Sequence, residues 1–354
     1  MFLNHYIKTW IIALSTFISA NGFTQNNDPV TNYNYFVRTL NEHYGLFPYK
    51  NINWDSLCMY YSQYINQETS PDTLFFTLCR LAGHLKDKHV WIDNDNYAYN
   101  YSIGKIALTA RMDSIFGARK KLKDSGTIER TYLDKNSFTS PTCNIIAGKI
   151  DSVTGYLSLD WFDGNVKKCD SAMNKAMHSI SGCQYLVVDI RNNIGGTDSS
   201  SLLVANYLVK TNHCYQVSKI RDSRDKSGYS LPLYWHTDPR QGSGFKKIAV
   251  LINRYTISAA ETFCLALKDQ PEILFIGEPT AGAFSDATDA ILPNGWHFSY
   301  SIGVWTDCQG VLWEGKGIQP DYRINSMEPE LTDRDVYIDQ ALKILKGNSI
   351  KPLR

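Results

Sequence analysis

Hydrophobic positions in the first third of the chain recur at helical spacing. Phe36, Leu40 and Tyr44 share one helical face at i, i+4 and i+8, the pattern of an amphipathic helix. Residues 70–72 (Ser-Pro-Asp) supply a capping serine and a proline at the first helical position, and a stripe of leucines follows. We therefore predict helices across residues 31–86, the last ending near residue 86.

The pattern changes to strands further along the chain. Residues 89–92 and 155–159 are typical of short strands, and the continuous apolar runs at 185–188 and 248–252 are typical of strands buried on both faces. Further strand and helix segments are predicted at 201–209 (helix), 259–268 (helix), 273–276 (strand) and 335–345 (helix). Repeated strand–helix–strand units predict an α/β core with mainly parallel pairing.

Composition fits a globular protein and excludes two classes of partner. The 354 residues are 43% hydrophobic and 20% charged, enough to bury a full core. A net charge of +1 gives no electrostatic reason to bind nucleic acid or an anionic membrane. A basic patch at 119–123 is expected on a solvated loop within the polar, irregular stretch 93–150.

The N-terminus resembles a signal peptide. Lys8 precedes an apolar run at 10–20 that is shorter than the ~20 residues needed to cross a bilayer. Cleavage is expected near Ala20 or Gly22, leaving a mature protein without an integral membrane segment. We therefore expect export, to either a periplasm or the cell exterior.

Cysteine spacing argues against metal and redox motifs. None of the eight cysteines forms a C-x-x-C pair, so neither a zinc site nor a thioredoxin-like site is indicated. Export permits disulfides, but their pairing cannot be read from the sequence. Cys79 and Cys264 lie in apolar helical patterns and are expected to be buried thiols.

Two strand-to-turn junctions carry the candidate chemistry. At 189–196, a buried strand ends in Gly195 and Gly196; glycines let the backbone approach a ligand closely, and their amides could face an oxyanion. At 253–261, Ser258 lies between a strand and a helix, where a serine can be an exposed nucleophile. Each has a structural alternative: an ordinary turn in the first case and a Ser–Glu capping box in the second.

The junctions and several other motifs together resemble a known family of serine peptidases. It contains the tail-specific (C-terminal-processing) proteases, the tricorn protease core and interphotoreceptor retinoid-binding protein. The resemblance implies a ClpP/crotonase-like ββα spiral core with an N-terminal helical subdomain. The motifs are L-K-D-K-H-V (85–90), D-I-R-N-N-I-G-G (189–196), N-R-Y-T-I-S-A-A-E (253–261), G-E-P-T-A-G (277–282) and E-G-K-G-I-Q-P-D (314–321).

The resemblance also implies the catalytic residues. Tail-specific proteases use a lysine base in the segment matching 277–284, but this chain has no lysine there. The tricorn-like branch takes a histidine from a D-x-H turn and a glutamate before G-x-x-P-D. These correspond to His89 and Glu314, with Ser258 as the nucleophile. A histidine of pKa ~6.5 can remove a serine proton near neutral pH, and a carboxylate can orient it.

The expected reaction is peptide-bond hydrolysis through an acyl-enzyme, with a peptide or protein as the substrate. The backbone amides of Ala259 and of Gly195 or Gly196 would form the oxyanion hole. No metal and no organic cofactor are expected, and a homo-oligomer is left open.

The chain divides into predicted segments, and two other functions compete with the peptidase. The segments are a signal peptide (1–22), an N-terminal helical subdomain (28–90), an irregular or β connecting segment (91–150), an α/β catalytic core (151–326) and a C-terminal helix and tail (327–354). The connecting segment is too short for a PDZ domain of roughly 90 residues. One alternative is an inactive family member that binds a peptide or an apolar ligand. The other, a crotonase-type acyl-thioester enzyme, is disfavoured by the signal peptide.

Overall fold

The computed structural model describes residues 26–94, 98–100, 106–107, 125–222, 228–240, 244–324 and 334–347. The predicted signal peptide and the basic patch at 119–123 lie outside these residues. No helix in the described part of the chain is long and apolar enough to cross a membrane.

The N-terminal region is helical, as the apolar spacing predicts. Phe36 and Leu40 are fully buried, and the Ser70 hydroxyl accepts a hydrogen bond from the Thr73 N–H at 3.2 Å. The last helix ends at Gly83, one turn earlier than predicted, because tight i→i+3 hydrogen bonds carry the chain from there to residue 86. The helices are α1 (Pro29–His43), α2 (Trp54–Ser62) and α3 (Pro71–Gly83).

The rest of the described chain alternates strands and helices. In chain order the elements are β1 (Trp91–Asp93), β2 (Ala98–Asn100), β3 (Ile106–Ala107), α4 (Ser125–Tyr132), β4 (Phe138–Ser140), β5 (Ile145–Lys149), β6 (Thr154–Leu159), α5 (Val166–Ser179), β7 (Tyr185–Asp189), α6 (Asp198–Asn206), β8 (Cys214–Ile220), β9 (Leu233–His236), β10 (Lys247–Ile252), α7 (Ala259–Leu267), β11 (Ile273–Gly277), β12 (Ala287–Ile291), β13 (His297–Ser301), β14 (Gly303–Thr306), β15 (Tyr322–Arg323) and α8 (Val336–Leu345).

A seven-stranded sheet carries the core and confirms the α/β prediction. Its order is β15-β11-β10-β7-β6-β5-β4, with parallel pairing from β6 to β15 and antiparallel pairing at the β4 edge. Helices α5, α6 and α7 cover one face and α4 and α8 the other. Coverage on both faces explains why every residue of β6 is buried.

Two antiparallel sheets complete the described fold. One has the order β12-β13-β1-β2-β3, and the other has the order β14-β8-β9. Strand β1 begins at Trp91, so His89 stands in the turn before the strand rather than inside it as predicted. Pairing of β1 with β13 joins the N-terminal helices to the later part of the chain, and their apolar residues share one cluster.

A buried ion cluster fastens the C-terminal helix to the central sheet. The Arg191 guanidinium, 1% exposed, donates hydrogen bonds to the carboxylates of Asp189 and Asp335. The Tyr156 hydroxyl donates to the same Asp189 carboxylate at 2.9 Å. Asp335 also caps α8 by accepting from the Tyr337 N–H at 2.9 Å. The Asp335 carboxylate thus holds the start of α8 against the arginine that follows β7.

Disulfides join distant segments of the described chain. Cys143 pairs with Cys169, and Cys214 on β8 pairs with Cys308 after β14. Cys79 and Cys264 are buried free thiols, as predicted.

Candidate active site

Ser258 stands at the junction between β10 and α7 in an unusual backbone conformation. Its φ of 63° and ψ of −129° lie in a region that residues with a side chain seldom occupy, and such strain persists only where the surroundings impose it. Two hydrogen bonds hold this turn. The Ile257 N–H donates to the Asn193 carbonyl at 3.1 Å, and the Ser258 N–H donates to the Ala283 carbonyl at 3.2 Å.

The Glu261 carboxylate fixes the loop that faces Ser258. It is fully buried, and its burial raises its pKa while four hydrogen bonds oppose that rise. One bond, from the Ser258 N–H, is the glutamate half of the predicted capping box. The four donors are Ser258 N at 3.2 Å, Thr280 Oγ1 at 2.6 Å, Gly282 N at 2.6 Å and Ala283 N at 2.8 Å. Residues 280–284 are called the facing loop below.

The glycine pair packs directly against the serine turn. A Cβ on Gly195 would lie 2.8 Å from the Ser258 Cβ, and one on Gly196 would lie 2.0 Å from the Phe162 carbonyl oxygen. Both glycines have positive φ, 94° and 127°, so both contact and conformation require glycine here. The Gly195 N–H donates to the Asn193 side chain at 2.8 Å.

The other two predicted oxyanion donors, Gly196 and Ala259, differ from Gly195 in the hydrogen bonding of their N–H groups. Within the described residues, neither the Gly196 N–H nor the Ala259 N–H donates a hydrogen bond. Ala259 is the first residue of α7, where backbone N–H groups lack intrahelical acceptors and carry the positive end of the helix dipole. Among the described residues these two amides are thus not used in hydrogen bonds, and that of Ala259 directly follows Ser258 in the chain.

Hydrogen bonds hold the main chain of His89 in place, whereas no hydrogen bond to a described residue holds its ring Nδ1. Its N–H donates to Asp87 Oδ1 at 2.8 Å, and its carbonyl accepts from the Ser299 hydroxyl. The ring Nδ1 is buried and has no hydrogen-bond partner in the described part of the chain. Burial lowers the pKa of His89, the Asp87 carboxylate opposes this, and the Lys50 ammonium adds to it. The net lowering keeps the imidazole neutral near pH 7.

Glu314 lies in the same buried polar group. It is 9% exposed, accepts from the Phe284 N–H at 2.9 Å and lies 3.6 Å from the Lys50 ammonium. Burial and the neighbouring Asp87 carboxylate raise the pKa of Glu314 to about 8, although Lys50 opposes the rise. No hydrogen bond joins Glu314 to the His89 ring among the described residues.

Asp87 is the functional residue that the sequence argument missed. It is fully buried, and its Oδ2 accepts from the Tyr44 hydroxyl at 2.9 Å while Oδ1 holds the His89 N–H. Its charge affects the pKa of both His89 and Glu314. The signal was its position two residues before the histidine in the D-x-H turn.

The facing loop connects all three predicted catalytic residues. Its contacts bring the segments of Ser258, His89 and Glu314 together from distant parts of the chain. The contacts are Ser258 N–H to the Ala283 carbonyl at 3.2 Å, Phe284 N–H to Glu314 Oε2 at 2.9 Å, and the Lys88 ammonium to the Ala281 carbonyl. No hydrogen bond joins Ser258 to the His89 ring in the residues that the structure describes.

Other features of the described chain offer no competing site. A cavity of about 720 Å³ lies between the end of α5 and residues 239, 240, 244 and 245, but no candidate catalytic residue lines it. In the described ranges, no group of three or more His, Cys, Asp or Glu side chains is arranged to hold a metal ion.

Sequence comparison matches the part of the chain that holds the serine and glycine turns. Residues 153–324 match the model of peptidase family S41. A Staphylococcus epidermidis protein named as a CtpA-like serine protease is 28% identical over 174 residues, which is 49% of this chain and 34% of that protein. The chloroplastic C-terminal processing peptidase of Tetradesmus obliquus is 28% identical over 217 residues, covering 59% of this chain and 44% of the relative. The matches thus span less than half the length of these relatives.

Solved structures share the fold over nearly the whole chain. A candidate peptidase from Parabacteroides merdae superposes with a TM-score of 0.74 at 20% identity, covering 92% of this chain and 99% of that one. The photosystem II D1 C-terminal processing protease gives 0.52 at 17% identity, covering 91% and 98%. The tricorn protease gives 0.51 at 14% identity, covering 90% of this chain and 36% of that one.

The solved structures show a shared mixed α/β fold. The match of residues 153–324 to the model of peptidase family S41 and the similarity to C-terminal processing peptidases confirm the resemblance predicted from the motifs.

Proposed function

We propose that this protein is an exported serine endopeptidase that cleaves peptide bonds through an acyl-enzyme on Ser258. The observation that carries the proposal is the convergence on the facing loop of a strained serine turn, Glu314 and the segment of His89. Support comes from the position of Ser258 directly before Ala259 and against Gly195, since activated nucleophiles are built on such strained strand-to-helix junctions.

The chemistry follows from the groups around the serine. Ser258 Oγ attacks the scissile carbonyl while neutral His89 accepts its proton, and the imidazolium then returns that proton to the leaving amine. The Gly196 and Ala259 N–H groups bind the oxyanion. Glu314 orients the imidazole. Because its pKa of about 8 leaves its carboxyl group mostly protonated near pH 7, the negative charge that stabilises the imidazolium comes from Asp87. Catalytic hydrogen bonds are often long without substrate and tighten in the complex, so the imidazole is expected to approach Ser258 when a peptide binds.

The facing loop explains why histidine, rather than lysine, is proposed as the base. The loop reads T-A-G-A-F at 280–284 and so lacks the lysine expected of tail-specific proteases. The nearest lysine to be considered is Lys88, whose ammonium donates to the Ala281 carbonyl. Because the Lys88 Nζ donates to this carbonyl, we propose that Lys88 holds the loop in place and that His89 is the base.

Export is proposed from two independent features. The apolar run at 10–20 has the length of a signal peptide, and the two disulfides are bonds that persist in oxidising compartments. The substrate is a peptide or protein met in the periplasm or outside the cell.

Replacing the proposed nucleophile and base separately tests the mechanism. Ser258→Ala and His89→Ala should each lower kcat/KM for a quenched fluorescent peptide by at least ~10³-fold, with thermal unfolding nearly unchanged. His84→Ala, an exposed histidine one turn earlier, is the matched control and should retain full activity. A fluorophosphonate probe should label the native protein and not Ser258→Ala.

Three outcomes would contradict the proposal in distinct ways. A native protein that neither hydrolyses peptides nor takes the probe would favour the inactive binding protein. Near-full activity in Ser258→Ala would exclude the nucleophile. Near-full activity in His89→Ala together with inactivity in Lys88→Met would transfer the role of base to the lysine.

A further inference from the structure

Strand β12 forms one edge of its sheet within the described part of the chain. It pairs with β13 on one side, and no described strand lies on its other side. Four of its five residues are exposed, among them Ile291, which is 50% exposed. An edge strand presents a row of unpaired backbone groups to which another polypeptide can bind. The proposed mechanism makes no use of this edge.

The hydrogen bonds between β12 and β13 determine which backbone groups of β12 point outward. At one end of the ladder the Ile302 N–H donates to the Asp286 carbonyl at 2.9 Å. At the other end the Leu292 N–H donates to the Trp296 carbonyl at 2.8 Å. Because bonded pairs alternate along an antiparallel ladder, every second residue between these ends directs its N–H and C=O away from β13 and bonds to no described residue. These residues are Ala287, Asp289 and Ile291.

The open edge begins beside the proposed catalytic group. Strand β12 starts three residues after the facing loop, whose Ala283 carbonyl accepts from the Ser258 N–H at 3.2 Å. On β13, Ser299 pairs with Asp289 of β12, and its hydroxyl donates to the His89 carbonyl. Strand β13 lies between β12 and β1, and neighbouring strands are about 4.8 Å apart. The edge strand therefore lies about 10 Å from β1, which His89 precedes.

A pocket of about 320 Å³ lies between α1 and the edge of the sheet, and we call it the edge pocket. Ala290 pairs with Phe298, and paired residues of an antiparallel sheet share a face. The Phe36 ring of α1 packs on the Phe298 ring with centroids 5.0 Å apart, so α1 covers this face. The lining of the edge pocket includes Tyr35, Arg38 and Glu42 of α1, Ala290 of β12 and Tyr300 of β13.

The open edge and the edge pocket are the two parts that a strand-addition site needs. When a peptide adds to a sheet edge, its backbone hydrogen bonds supply affinity, and pockets for alternate side chains supply specificity. A polypeptide paired with β12 places every second side chain on the face that α1 covers, where the edge pocket lies. From Ala290 back to Ala283 the chain covers at most about 25 Å, so an extended segment of about eight residues reaches from the pocket to the serine turn.

We propose that β12 binds an extended segment of the polypeptide substrate as an added strand, with one substrate side chain in the edge pocket. This inference rests on the proposed peptidase function and specifies its substrate class as unfolded or extended polypeptide. The substrate is the occupant that fits this edge, because a segment held on β12 leads directly to the facing loop, which contacts Ser258.

Backbone methylation of the substrate tests the added strand without changing the protein. Each quenched peptide in the set carries one N-methyl group, placed between about three and eight residues from the scissile bond on either side. An added strand uses every second N–H group, so kcat/KM should fall at least ~10-fold at alternate positions and less than ~3-fold at the positions between them. A profile without this alternation would overturn the proposal.

A proline in β12 tests the same contact from the protein. The Asp289 N–H points away from β13, so Asp289→Pro leaves the ladder between the two strands intact, and proline is tolerated at such edge positions. This variant should lower kcat/KM for the unmethylated peptide at least ~10-fold, mainly through KM, and remove the alternation. Asp289→Ala keeps the N–H and is the matched control, with native kcat/KM. The methylation profile of the native protein decides the question if thermal unfolding shows that the proline variant is unstable.

Fluorophosphonate labelling separates failure of strand addition from failure of the peptidase. The native protein and both variants should take the probe equally, because the probe is too small to reach β12. A labelled native protein without alternation would overturn strand addition alone, whereas an unlabelled one would contradict the proposed function. Calorimetric binding of the methylated peptides to Ser258→Ala tests the edge without hydrolysis, and binding without alternation would count against it. A native dimer that Asp289→Pro converts to a monomer in sedimentation would assign the edge to a second copy of the chain and overturn the proposal.

Discussion

Gly195→Ala adds a single methyl group and should lower the activity of the site far more than the stability of the protein. The Cβ of Gly195→Ala would lie 2.8 Å from the Ser258 Cβ, 2.9 Å from the Ile257 carbonyl oxygen and 3.0 Å from the Ala259 nitrogen. Two of these three neighbours are backbone atoms, which cannot rotate away, so the serine turn itself has to shift.

The expected magnitude has two parts. A side chain at positive φ costs about 1–2 kcal/mol, and forcing close-packed backbone apart adds about 1–3 kcal/mol. The shift also moves the Ala259 N–H, the proposed oxyanion donor, and loss of one such donor lowers kcat by about 10²–10³-fold. The variant should therefore lose a few kcal/mol of stability but far more of its activity.

Gly182→Ala is the matched control. Gly182 also has positive φ, 81°, but nothing lies within 4 Å of its would-be Cβ. Gly182→Ala should lower the free energy of unfolding by about 1 kcal/mol in urea, which is the cost of a side chain at positive φ. Its kcat/KM and its labelling by fluorophosphonate should remain those of the native protein. Two results would show that the glycine turn does not shape the catalytic site. One is that Gly195→Ala takes the fluorophosphonate probe and cleaves peptides like the native protein. The other is that Gly182→Ala loses as much activity as Gly195→Ala.

Three further predictions concern stability. Asp335→Ala should lower the free energy of unfolding by about 3 kcal/mol because it leaves buried Arg191 with one carboxylate. Arg334→Ala removes the exposed partner of Asp339 and should lower it much less in the same urea titration. The pKa of Glu314 is about 8 in the folded protein, against 4.5 normally, so the folded state keeps a proton that the unfolded chain releases. The free energy of unfolding should therefore fall as the pH rises from 4.5 to 8, and Glu314→Gln should make this fall less steep when chemical denaturation is measured across that range. An unchanged slope would refute the raised pKa. Replacing the Cys214–Cys308 bridge by serines should lower stability by about 2–5 kcal/mol, and an unchanged thermal midpoint would contradict this.

The sequence predicted four of the seven strands of the central sheet, β6, β7, β10 and β11, and the site's proposed nucleophile, but not β4, β5 or β15. Strands β7 and β10 are continuous apolar runs, and the glycine pair and Ser258 follow them directly, so local pattern alone marks both junctions. The sequence did not predict the antiparallel sheets because their strands are partly exposed. Four of the five residues of β12 face solvent, and such a strand shows no periodic pattern of apolar residues.

Contacts between distant segments account for the rest of what the sequence could not show. The D-x-H turn marks Asp87 by its position two residues before His89, but its burial against Tyr44 depends on a contact between distant segments. Asp198 follows the glycine pair as an ordinary first-turn helix acid would. Its contact with Gln216 on β8 and Trp305 on β14 depends on tertiary packing, which the sequence does not show.

The buried bond between Arg191 and Asp335 also sets an order of events during synthesis. Chains are made from the N-terminus, and Asp335 comes well after Ser258. Until the ribosome has passed Asp335, Arg191 lacks one of its two anchors and the strand end that precedes the glycine pair is not fastened. A nascent chain that already contains every proposed catalytic residue is therefore expected to remain inactive until this late segment docks, which would protect neighbouring unfolded polypeptides from premature cleavage.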